Sequence, residues 1–230
     1  MLSEAHRSRV MRNTLGRTGG VLGIDYLRNK PWSSWTRDER FFCSLLYSHA
    51  RSDAAAFARW LISTAGLKAS PEGEWDLGFE VCFYRDYLWQ LELDHRVHAL
   101  EDGAVPLKRT FDLCLFGERA IIIVEAKVCE GFGFAQNEDF DRDRRILKSL
   151  PGLEQLEVYV VALASSKYYG RVATHGKPAE LTGEPEALRV FDGKPLSWAN
   201  VFEHFQDGLF KQADDMYGLG KGQLIADASS

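Results

Sequence analysis

Asp112, Glu125 and Lys127 are the side chains in this sequence whose types and spacing fit metal-assisted hydrolysis. They lie in Thr110–Val128, TFDLCLFGERAIIIVEAKV, where the apolar run Ala120–Val124 passes without a turn signal into a carboxylate and an ammonium. Residues two apart in a strand share a face, so Glu125 and Lys127 point the same way. The preceding strand carries Asp112, Cys114 and Phe116 on one face, and Gly117 marks the hairpin between the two. A two-residue loop at Gly117–Glu118 pairs Asp112 with Ile123, whereas a loop at Glu118–Arg119 pairs it with Glu125. Either register puts Asp112 on the face of Glu125 and Lys127, as direct partner or as a diagonal neighbour within about 8 Å.

Two carboxylates crowded in a partly buried site repel unless a cation offsets them. Mg2+ does this with one or two carboxylates and fills its octahedron with waters and substrate oxygens. A lysine beside it orients or deprotonates a water, or offsets charge gathering on a phosphate. Hydrolysis of a phosphodiester needs that set. E-A-K by itself is equally what a strand end running into solvent looks like. Asp112 on the same face, the hairpin, the helix after it and a further buried strand shift the balance to function.

The elements around this hairpin follow from pattern. A basic arm and loop, residues 1–35, precede the single α/β domain expected over 36–218, and 219–230 reads as a tail. Thr36 and Glu39 form a capping box before a helix carrying Phe41, Phe42, Leu45 and Leu46 at helical spacing. A second helix runs from about Asp53 to Ala65 and stops at Gly66. Phe79–Leu91 fits either period: Val81, Tyr84, Leu88 and Leu91 suit a helix, while Phe79, Val81 and Phe83 alternate like a strand; helix is the reading taken. After the hairpin, a charged helix spans Gln136 to Leu150 with Phe140, Leu147 and Leu150 as its apolar stripe. Leu156–Ala164 is a continuous apolar run, the mark of a strand buried on both faces, and the crossover makes it parallel to the lysine strand. A polar loop is expected over Lys167–Glu186, a short strand near Leu188–Phe191, and one last helix over Ser197–Tyr217, capped by Ser197.

Bulk composition narrows the function classes. The 230 residues suffice for one domain with its own core, and 45% hydrophobic with 27% charged residues is ordinary for a globular protein. The net charge of −5 supplies no global field for nucleic acid, and the one basic cluster, Arg7, Arg9, Arg12 and Arg17, sits in the arm. No apolar run approaches the roughly 20 residues of a membrane span, and the N-terminus lacks the apolar centre of a signal peptide. The four cysteines form no CxxC pair, as expected of small buried hydrophobes in a reducing cytoplasm. His95 and His98 make an HxxH with no Cys or Glu at zinc spacing beside it, and read as surface histidines.

Phe111–Asp112 followed by Glu125-Ala126-Lys127 resembles the PD-(D/E)XK nuclease superfamily, with Phe111 in place of the leading proline. The resemblance covers about Thr36–Ser166. It implies a restriction-endonuclease-like α-β-β-β-α-β core, a mixed central sheet flanked by helices, with extra N-terminal and C-terminal helices. It further implies that Asp112, Glu125 and the Ala126 carbonyl hold Mg2+, with Mn2+ able to substitute, and that Lys127 is the catalytic lysine. Many members carry a glutamine on the following helix, where Gln136 stands, and a glutamate on the first core helix, where Glu39 stands. Glu39 is equally explained by its capping box, and Glu80 is its rival. The expected activity is a metal-dependent nuclease acting on DNA, of restriction, repair or phage-defence type. A homodimer suits cutting of both strands. The alternative is a nuclease-like module that binds nucleic acid or a protein partner without cutting. A third reading treats the carboxylates as a structural ion pair in an ordinary α/β domain.

Overall fold

The computed structural model describes residues 39–93, 105–133, 135–174 and 188–218, without the side chains of 135–137 and 171–174. The chain divides into Met1–Thr36 and Arg37–Ser230, and every described residue belongs to the second unit. The basic arm, Thr36, the HxxH histidines and the tail lie outside the described residues, as does the side chain of Gln136.

Helix α1 (Glu39–Ala50) buries Phe42, Cys43 and Leu46 at helical spacing. A 3-10 turn, Arg51–Asp53, leads into α2 (Ala54–Ala65). Asp53 caps α2 by accepting from the Ala56 N–H at 2.8 Å, and Gly66 ends it at φ 64°, a left-handed conformation suited to glycine. Strand β1 (Trp75–Val81) and helix α3 (Phe83–Gln90) follow. Then come β2 (Phe111–Gly117), β3 (Ala120–Ala126), α4 (Ala135–Ser149), β4 (Glu157–Ala164) and α5 (Ser166–Thr174). The described chain ends with β5 (Leu196–Ser197), α6 (Trp198–Phe205) and α7 (Gly208–Asp215).

The five strands form one mixed sheet in the order β1-β2-β3-β4-β5, antiparallel across β1, β2 and β3 and parallel across β3, β4 and β5. The parallel β3–β4 pairing expected from the crossover helix is present. Helices cover both faces. On one, Phe42, Leu46, Phe57, Leu61, Trp198 and Phe210 pack against the Ile122 and Val124 side of β3. On the other, Tyr84, Leu88, Phe140 and Leu147 pack against Ile121 and Ile123. The protein is thus α/β, with an open mixed sheet between two helical layers. Among the described residues, no helix is long and apolar enough to cross a membrane.

Four local expectations are corrected. Phe79–Leu91 is not one helix: the chain is strand to Val81 and helix from Phe83, with neither Gly nor Pro marking the change. The Lys167–Glu186 loop begins instead as α5, anchored by Tyr168, which is fully buried. Leu188–Phe191 is turn, because Val190 and Phe191 are used as packing side chains while Asp192 N–H donates to Val160 O at 2.7 Å; the fifth strand is Leu196–Ser197. The terminal helix is two helices, broken where Gln206 takes φ 58° and Asp207 caps the second. Ser197 does cap the first, in a reciprocal box with Asn200. Asp214 then ties α5, α6 and α7 together, its carboxylate accepting from Ser166 N–H and Ala199 N–H at their first turns.

Sheet geometry departs from regularity at one level. Phe79 pairs with Leu113 and Val81 with Phe111, and Glu80 between them has φ +52°. Left-handed backbone costs a non-glycine residue about 1–2 kcal/mol. Here it reverses the side-chain alternation. Leu77, Phe79 and Leu113 pack on the α1 side, yet Val81 and Phe111 pack on the α3–α4 side. Gly78 permits the reversal, since a Cβ there would stand 2.5 Å from Val81 Cγ2.

Candidate active site

The hairpin adopts the register with Glu118–Arg119 as its loop. Leu113 pairs with Val124 and Phe116 with Ile121, which sets Asp112 opposite Glu125. The ladder ends there, and the next free donor on β3, the Ala126 N–H, is taken by Asp112 Oδ2 at 2.8 Å. Asp112 therefore performs a structural task with one oxygen, and its side chain is fixed against β3 by that bond.

Lys127 follows at the end of β3, with its backbone held from two sides. Its N–H donates to Leu163 O of β4 at 2.8 Å, and its carbonyl accepts from the indole N–H of fully buried Trp198 at 2.9 Å. The ammonium donates to Glu125 Oε1 at 3.3 Å, to Ala126 O at 3.0 Å and to Glu39 Oε1 at 3.2 Å. Three of the predicted site residues thus meet at one nitrogen, and Asp112 adjoins through the Ala126 peptide. Glu39 is the first residue of α1, so the helix start and the strand ends converge.

Burial decides the electrostatics. Glu125 is 7% exposed. Desolvation, then the neighbouring Asp112 charge, push its carboxyl up to about 7, against the lowering pull of Lys127 and Arg109. Desolvation also raises Asp112 and Glu39, although Ala126 N–H and Lys127 oppose it at Asp112 and Lys127 opposes it at Glu39. Burial alone lowers Lys127, but the charges of Glu125, Glu39 and Asp112 outweigh it and hold the ammonium protonated. With all groups ionised the cluster carries three negative charges and one positive.

The sequence singled out Glu39 and Glu80 as rivals, and the structure separates them. Glu39 bonds Lys127, whereas Glu80 turns to Arg40, whose Nε lies 3.3 Å from its Oε1. Gln136 belongs by helical spacing to the face that carries Phe140 and Asp143, both buried.

Two supports were missed by the sequence reading. Trp198 is one, as described. The other is Arg109, whose Nε donates to Asp143 Oδ2 at 2.9 Å while Tyr84 O–H donates to Asp143 Oδ1 at 2.7 Å. The guanidinium lies over the rings of Phe111 and Phe140, at 5.4 and 4.9 Å from their centroids, and its charge reaches both Asp112 and Glu125. Neither support has a local signal, because the partners stand dozens of residues apart. A surface cleft of about 840 Å3 along α4, lined by residues such as Asp139, Arg142 and Arg145, includes none of the site residues.

Among the described residues, no three His, Cys, Asp or Glu side chains gather as a group able to hold a metal ion. The donor set is smaller and of another kind: the buried Glu125 carboxylate, the half-buried Asp112 carboxylate and the Ala126 carbonyl, all hard oxygens. Such a set suits Mg2+, which keeps several waters, better than a metal needing an all-protein cage. A cation already sits on two of these oxygens, namely the Lys127 ammonium on Glu125 Oε1 and Ala126 O. Comparison of the sequence with protein-family models finds no matching family, and comparison with curated proteins finds no match either.

Proposed function

We propose that this protein is a Mg2+-dependent nuclease of the PD-(D/E)XK type that hydrolyses phosphodiester bonds in DNA. The observation that carries the reading is the convergence of Asp112, Glu125 and Lys127 at the ends of β2 and β3. The same reading takes the sheet as a restriction-endonuclease-like core, supported by antiparallel β1–β2–β3 followed by a helical crossover to parallel β4. Cys43, Cys82, Cys114 and Cys129 are thiols outside any disulfide, which accords with work in a reducing cytoplasm. A homodimer would bring two such sites to the two strands of a duplex.

Asp112, Glu125 and the Ala126 carbonyl would hold the cation, and Mn2+ suits the same oxygens. When bound, Mg2+ supplies a water of lowered pKa and polarises a phosphoryl oxygen. The reaction itself is hydrolysis, in which a water oxygen forms the new P–O bond as the bond to the sugar oxygen breaks. Lys127 contributes fixed positive charge. Its ammonium is held protonated and aimed by Glu125 and Glu39, so it can offset charge gathering on the phosphate without reorganising. A protonated lysine is a poor base, so of the roles open from sequence this favours charge stabilisation over proton abstraction.

Incubation of supercoiled plasmid with the protein in Mg2+ or Mn2+ tests the proposal. Nicking or linearisation is expected with either metal, abolished by chelation and by Asp112→Ala. Metal-dependent binding without cleavage would favour the inactive module instead, and cleavage that survives Asp112→Ala would refute the assigned site.

A further inference from the structure

We propose that Arg40 docks a phosphate of the nucleic-acid backbone at the mouth of this site, and that Glu80 restrains it by competing for the same guanidinium. The inference rests on the nuclease reading and names how that site would take its substrate.

Charge bookkeeping gives the first reason. Three carboxylates against Lys127 leave two negative charges, which one divalent cation neutralises. A phosphodiester then brings a further negative charge, while Lys127, which offsets the charge that develops in the reaction, is already shared among Glu125, Ala126 and Glu39. Arg40 is next to Glu39 on α1, and its charge reaches Asp112. Its side chain is 71% exposed, whereas that of Lys127 is 14% exposed. A guanidinium open to solvent at this place can meet an incoming phosphate, and its fork matches phosphate oxygens.

Backbone distortion gives the second reason. Glu80 holds a left-handed conformation inside a strand, level with Asp112, and the neighbouring Gly78 has no room for a side chain. Besides moving Val81 to the α3–α4 side, the distortion aims the Glu80 carboxylate at Arg40. An ion pair this exposed adds little to stability, so the aim of Glu80 at Arg40 is not itself explained by fold stability. Strain stored beside a candidate site is accounted for when the residue it aims has work there. Glu80 keeps the arginine oriented at the mouth, and a substrate phosphate must displace it.

The test measures binding of a fluorescent DNA duplex by anisotropy across a salt series, with Ca2+ replacing Mg2+ so that the duplex stays intact. Arg40→Gln is expected to weaken binding roughly tenfold and to flatten the log–log salt slope by about one. Glu80→Gln is expected to tighten binding several-fold, and the double variant to behave as Arg40→Gln, since Glu80 acts through Arg40. With Mg2+ present, the loss in Arg40→Gln falls on KM rather than on kcat. An Arg40→Gln protein with wild-type affinity and salt slope, in a wild type that binds and cuts DNA, overturns the docking role and leaves the nuclease reading intact. Unchanged affinity in Glu80→Gln overturns the competition. A wild type that neither binds nor cuts DNA in Mg2+ or Mn2+ removes the nuclease reading, and this inference with it.

Discussion

Protein carrying Lys127→Ala is expected to cut DNA about a thousandfold more slowly than the wild type, with the loss in kcat and little change in KM. The ammonium is one of the few groups whose interaction grows as negative charge accumulates on the phosphate. It is also held in place before any substrate arrives, by three acceptors and by a backbone pinned between Leu163 and Trp198. Single-turnover cleavage of a labelled duplex measures the effect. Lys127→Arg should recover only a small part of it, because the planar guanidinium cannot occupy the point where Nζ meets Glu125, Ala126 and Glu39 together. Full activity in Lys127→Ala would remove this residue from the chemistry.

The second large effect is on stability, and its sign runs against intuition. Freed of divalent cations, Glu125→Gln is expected to be more stable than the wild type at neutral pH, by about 3 kcal/mol. Burial and Asp112 raise Glu125 from 4.5 to about 7, so the folded protein binds this proton more tightly than the unfolded chain does. Ionising it therefore costs the fold nothing below pH 4.5, an increasing amount between 4.5 and 7, and the full amount above 7. Thermal melts of the two proteins should coincide near pH 4.5 and separate as the pH rises to 7, with the wild type falling. Lys127 loses one partner in the variant but retains Glu39, so the exchange does not strand the ammonium. Added Mg2+ or Mn2+ should raise the wild-type melting temperature and leave the variant nearly unmoved. A variant less stable than the wild type across this pH range would mean that Glu125 is held by structure rather than kept for a ligand.

Much of the site was legible because it is local. Asp112, Glu125 and Lys127 lie on one hairpin, where the period of two and a short loop restrict the pairings to two, and the structure selects the one that sets Asp112 opposite Glu125. The buried β4 strand and the charged α4 helix were equally plain, since each is a single uninterrupted pattern. What could not be read was non-local or conformational. Nothing near Trp198 in sequence announces that its indole binds Lys127 O, and Arg109 reaches Asp143 across the hairpin and the following helix. In Phe79–Leu91 the alternation of Phe79, Val81 and Phe83 overlaps the helical spacing of Val81, Tyr84 and Leu88, and the left-handed Glu80 near the strand's end has no signal in the sequence. The break at Gln206 escaped for the same reason, as a left-handed residue that is not glycine carries no signal. Glu39 was legible as a helix start, but its bond to Lys127 depends on α1 packing at the strand ends.

The central claim is spatial: a divalent cation belongs at the two carboxylates that face each other at the start of β2 and the end of β3. Crystals of the protein soaked in Mn2+ and measured for anomalous scattering test it most directly. The account predicts an anomalous peak in contact with the Asp112 and Glu125 carboxylates, absent from Glu125→Gln crystals treated alike. Saturating Mn2+ that leaves no peak between those two side chains would contradict it.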